Sequence, residues 1–222
     1  MVDRTYGVSQ TTSSQSVDAH KVLRNTYMLL AMTLLFSAVT AGAAMAMGVA
    51  QMNVFIFLIG AYGLMFLVHK TANSAMGLLA TFAFTGFMGF TLGPILSAYL
   101  TLSNGPQLIM TALGMTAATF VGLSAVALIT RKDFSFLANF IMAGAIVLVV
   151  AMVVAMIFNI SGLALAVSAG FVLFSSALIL YETSQIIHGG QTNYILATIS
   201  LYVAIYNLFI SLLSLLGMAG DD

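Results

Sequence analysis

Between Asn25 and Gly220 the only charged side chains are Lys70, Arg131, Lys132, Asp133 and Glu182. No other feature of the sequence limits the fold so severely. A soluble domain is about 25% charged. This chain of 222 residues is 5% charged and 61% hydrophobic, with 6 basic and 6 acidic side chains in all. So few charges cannot cover the surface of a soluble fold of this size. The sequence therefore predicts an all-α integral membrane protein. Backbone groups find no water in hydrocarbon, so apolar runs of this length must be helices. A β-barrel would need segments of about ten residues with alternating polarity, and none occur.

A spanning helix needs about 20 predominantly apolar residues. Polar and turn-forming points divide the chain into seven such runs, at 23–49, 54–68, 75–100, 106–129, 134–158, 162–187 and 194–216. Pro106 suits the first turn of the fourth helix, where its missing N–H is no loss. All 6 Lys and Arg residues lie in the N-terminal segment, the second loop and the fourth loop. By the positive-inside rule the N-terminus is then cytoplasmic, and seven spans put the C-terminus outside. The seventh run carries Ser200, Asn207, Ser211 and Ser214. Such polarity suits either a re-entrant segment or a helix packed tightly among others. Residues 1–20, which include VSQTTSSQSVD, bury little and are expected to be a disordered cytoplasmic tail. Residues 21–222 form the seven-helix domain. Small residues recur at Ala41-Gly42-Ala43-Ala44, at Gly86 and Gly89, and at Gly114 and Ala118, where they let membrane helices approach closely.

The same inventory bears on chemistry. Cysteine is absent and the formal net charge is zero, so thiol chemistry and nucleic-acid binding by bulk charge drop out. His20, His69 and His188 fall at span ends without a second ligand at helical spacing, and HExxH is missing. No Asp lies within a span, and no Gly-rich phosphate loop occurs. The expectation is a protein without catalysis, metal or cofactor.

Glu182 is the exception within the spans. An ionised side chain there costs about 2.5–3.5 kcal/mol on insertion scales. It must be protonated, paired, or in contact with water, and each condition makes it a candidate proton or cation site. Lys70, Arg131 and Lys132 border spans on the same membrane side. The short 188–193 loop makes the last two spans antiparallel neighbours, bringing Tyr202, Tyr206 and Asn207 to comparable depth. These are its expected partners.

Several segments together carry a resemblance: HKVLRNTY (20–27), YGLMFL (62–67), FAFTGFMGFTLGPIL (82–96), TRKDFSFL (130–137), YETSQIIHGGQTNYI (181–195) and SLYVAIYNLFISLLSLLG (200–217). In order and spacing the chain resembles the Bax inhibitor-1 family of seven-span membrane proteins, and most closely its bacterial branch, the modulators of the FtsH protease. The resemblance implies a Bax inhibitor-1-like bundle in a bacterial inner membrane, so that the outer C-terminus is periplasmic. It implies FtsH as a partner, engaged and inhibited through the cytoplasmic tail. Ion-leak members of the family hold a pair of Asp residues at the pore, whose protonation gates calcium. Glu182 stands at the first of these positions and Ala204 at the second, so the paired acid is incomplete. The alternative implied function is a pH-sensitive calcium or proton leak with Glu182 as the titrating residue.

Overall fold

A computed structural model describes residues 6–219, with side chains from Ala19 to Met218. Seven helices follow one another: α1 (Tyr6–Ala46), α2 (Val54–Thr71), α3 (Ala75–Leu100), α4 (Gly105–Thr130), α5 (Leu137–Phe158), α6 (Ser161–Ile187) and α7 (Tyr194–Ala219). All seven are long and apolar enough to cross a membrane, α1 over Ala19–Ala46. Of the stretch expected to be a disordered tail, residues 1–5 lie outside the described residues and residues 6–20 form the first turns of α1.

Local chemistry sets the helix ends. The Asn53 side chain accepts the Phe55 N–H at 2.9 Å and caps α2. Pro106 occupies the first turn of α4. Arg131 ends α4 in the left-handed conformation, with φ 49°, and its N–H returns to the Ala127 carbonyl. The fifth helix starts at Leu137, not at Phe134 as the hydrophobic run predicts. Asp133 is the reason: its carboxylate accepts the Ser135 N–H at 2.9 Å, and this turn holds the next residues out of the helix.

α7 is the axis of the bundle. Half of its span is enclosed, the largest share of any helix, and it packs against α1, α2, α3, α4 and α6. Its 26 residues reach about 39 Å. Of the two readings left open by its polarity, the tightly packed helix is the one observed. Ser211 is buried, and Ser214 accepts a hydrogen bond from Ser168 of α6 at 3.2 Å. α5 lies at the other extreme, touching only α6 and presenting an almost wholly apolar surface.

α1 and α3 share the most extensive helix–helix contact, and small residues allow it. A methyl group on Gly93 would lie 2.6 Å from Ala44 Cβ and 2.9 Å from the Ala41 carbonyl. One on Gly89 would overlap the Ser37 carbonyl and the Thr40 hydroxyl. Gly114 corrects the sequence reading, because open space surrounds it on the outer face of α4. α3 runs unbroken through Pro94.

The loops that carry Lys and Arg gather at one end of the bundle. Asn193 before α7 donates to the Ala72 carbonyl at 3.1 Å and to Asn73 at 2.8 Å, joining the α6–α7 and α2–α3 loops. His188 at the end of α6 meets the Arg131 carbonyl at 3.1 Å, joining the α4–α5 loop to the same end.

Candidate ion site at Glu182

Glu182 lies in the last turns of α6 and is 9% exposed. The turn that follows is fastened to the α4–α5 loop. Ser184 accepts the Phe134 N–H at 3.0 Å and donates to the Lys132 carbonyl at 3.2 Å. Gln185 donates to the Ser135 hydroxyl at 2.8 Å. These contacts fix the end of α6 and with it the depth of the carboxyl group. Across the helix interface it faces the Ser200 side chain of α7.

Antiparallel packing of α6 on α7 then places Ala204. Ser200 and Ala204 stand one turn apart on α7, as Glu182 and Ile179 do on α6. Ala204 and Ile179 are both fully buried, in one apolar cluster with Ala112 and Leu208. A methyl group therefore fills the space one turn from the carboxyl group.

The expected partners are placed elsewhere. Lys70 and Arg131 are exposed on the loop side, and no cationic side chain neighbours Glu182 among the described residues. Tyr202 turns to α1 and α3: its hydroxyl shares a 2.6 Å hydrogen bond with Ser37 and donates to the Thr85 carbonyl at 3.2 Å. Tyr206 stacks on Tyr202, with ring centroids 6.2 Å apart. Asn207 lines a different cavity, of about 340 Å³, between α5, α6 and α7. The sequence reading missed Ser200 as the side chain that faces Glu182. Its signal was present: counting outward equally from the middle of the short α6–α7 loop, Glu182 falls opposite Ser200 to within about one residue.

Further buried hydroxyls, on Thr26, Ser124, Ser175 and Thr183, have no hydrogen-bond partner among the described residues. The chemistry open to this site is narrow. A buried carboxyl group with a single hydroxyl neighbour can take up and release a proton. A hard cation such as calcium takes 6–8 oxygen ligands. Among the described residues no three His, Asp or Glu side chains converge.

Comparison with known proteins supplies the rest. The sequence model of the family described as "Inhibitor of apoptosis-promoting Bax1" matches residues 19–221. An uncharacterised protein of Pseudomonas aeruginosa is 59% identical over 222 residues, covering 100% of both chains. The modulator of FtsH protease YccA of Escherichia coli K12 is 53% identical over 206 residues, which is 93% of this chain and 94% of the relative. Its counterpart in another Escherichia coli strain, named as an inner membrane protein, matches with the same identity and coverage. None of these three is named as an enzyme. With seven membrane-length helices in the bundle and these relatives beside it, the chain belongs to the Bax inhibitor-1 family and is a multi-pass inner-membrane protein.

Proposed function

We propose that this protein binds the membrane-bound, ATP-dependent protease FtsH and slows its attack on other membrane proteins, using residues 1–19 as a cytoplasmic handle. The observation that carries the proposal is the 53% identity, across 93% of the chain, to a relative named as a modulator of that protease. The placement of charge supports it. The loops bearing Lys and Arg share one end of the bundle with the start of the α1 span, which is the cytoplasmic end by the positive-inside rule. A polar tail on a bundle built round an enclosed central helix engages an unfolding protease at one end and resists extraction at the other. The test removes residues 1–19. The shortened chain should no longer slow FtsH in shared proteoliposomes, while the melting of the seven-span bundle stays unchanged. Equal slowing by the shortened chain would refute the tail as the handle.

A proton or cation leak is the second reading, favoured by the burial of Glu182 without a cationic neighbour. It expects pH-dependent flux in liposomes that Glu182→Gln alters. Flux equal to that of empty liposomes at every pH would exclude it. The Ala204 methyl group beside the site argues against calcium, because it leaves one carboxylate where a divalent ion needs more.

A further inference from the structure

We infer that the cavity at the charged end of the α1–α4 gap is a binding site for one anionic phospholipid. Residues His20, Lys21 and Arg24 of α1 line a cavity of about 670 Å³, with Leu23, Tyr27 and Leu128 as its apolar wall. Three side chains able to carry positive charge thus face one concavity, and no acidic side chain lines it among the described residues. The cavity exists because α1 and α4 do not pack together. Among the described residues the backbones of the two helices do not touch, and each rests instead on α3, α6 and α7. The gap is crossed by the Tyr27 and Phe120 rings, whose centroids are 5.8 Å apart.

A further observation points to a lipid. Deeper in the same gap lies a mainly apolar cavity of about 270 Å³, lined by Leu34 of α1, Leu113 of α4 and Ile205 of α7. Arg24 and Leu34 are separated by about 15 Å along the helix, half the hydrocarbon thickness of a bilayer. The gap therefore has cations at headgroup depth and a separate apolar cavity deeper in, which is the polarity of a phospholipid. Basic concavities between membrane helices hold anionic headgroups by this arrangement, and each Lys or Arg near the headgroup strengthens binding about five-fold. The inference stands apart from protease modulation, since it rests on the α1–α4 gap alone.

The chain has no tryptophan, so a single introduced one is a clean reporter. Leu128→Trp places it in the cavity wall. Leu173→Trp, on the outer face of α6, is the control, because Leu173 is 69% exposed. Both are read in nanodiscs containing acyl-brominated phosphatidylglycerol or acyl-brominated phosphatidylcholine at equal mole fraction. Bromine should quench Leu128→Trp with a preference for phosphatidylglycerol of about five-fold or more, and Leu173→Trp with none. Adding Lys21→Gln and Arg24→Gln should abolish the preference while helix content and melting stay unchanged, and soluble glycerol phosphate should leave the quenching as it was. Equal quenching by the two lipids at Leu128→Trp, or a preference that survives both Gln substitutions, would overturn the site. Reversal by soluble glycerol phosphate would assign it to a free phosphate and overturn the lipid.

Discussion

Removing the hydroxyl of Tyr202 tests how the central helix is held. The hydroxyl lies 2.6 Å from the Ser37 hydroxyl and donates to the Thr85 carbonyl at 3.2 Å, so one oxygen links α7 to both α1 and α3. Tyr202→Phe deletes both hydrogen bonds and leaves the ring. The ring's edge contact with Phe84, at 6.0 Å between centroids, and its stacking on Tyr206 remain. No cavity is created, so the cavity cost of a larger truncation does not arise. Hydrogen bonds between membrane helices are worth about 0.6 kcal/mol each on average and reach about 1.7. Ser37 is left buried, and an unsatisfied buried hydroxyl costs about 1–3 kcal/mol unless its own helix takes the proton. Tyr202→Phe should therefore cost about 1–2 kcal/mol. The clean quantity is the coupling in a double-mutant cycle with Ser37→Ala, expected at about 0.5–1.5 kcal/mol. Reversible unfolding in mixed detergent and lipid micelles measures all four corners. Strictly additive losses would refute the shared hydrogen bond. A loss above about 4 kcal/mol for Tyr202→Phe alone would show that the ring itself had moved.

Gly89→Ala and Gly42→Ala should differ sharply. A methyl group at Gly89 meets the Ser37 backbone, whereas one at Gly42 meets nothing within 4 Å. The first should lose about 1–3 kcal/mol by overpacking and the second should be neutral or slightly stabilising, both read by the same unfolding assay. The α4–α5 loop should loosen in acid. Hydrogen bonds from the Ser135 hydroxyl and N–H hold the Asp133 carboxyl below its ordinary range. A depressed folded-state pKa gives stability that is present above the unfolded value and lost as pH falls through the folded one. Amide exchange at Ser135 should accelerate below the usual carboxylate range in the native chain, and Asp133→Asn should remove that acid limb.

Much of the fold was legible because the bilayer leaves little choice. Once charge excluded a soluble fold, the polar breaks marked seven helices, and most boundaries fall within a few residues of the breaks. The start of α5 was missed because a hydrophobic run does not show that Asp133 will close a turn on Ser135. The role of α7 was only half legible. Its serines and Asn207 marked it as unusual, but composition does not tell a helix enclosed by others from one that fails to span. The candidate site was less legible still. Depth along a span can be counted from a loop, and that count leads from Glu182 to Ser200. Direction round the helix axis cannot be counted when apolar residues lie on every side. Hence Tyr202, at nearly the right depth, proves to face α1 and α3.

The most direct test of the account is the rate at which FtsH degrades a labelled membrane substrate in proteoliposomes that also hold this chain at increasing ratios. The substrate's half-life should lengthen with each increment and level off once the chain saturates the protease. A half-life unchanged at every ratio, with both proteins shown to share the same vesicles, would contradict it.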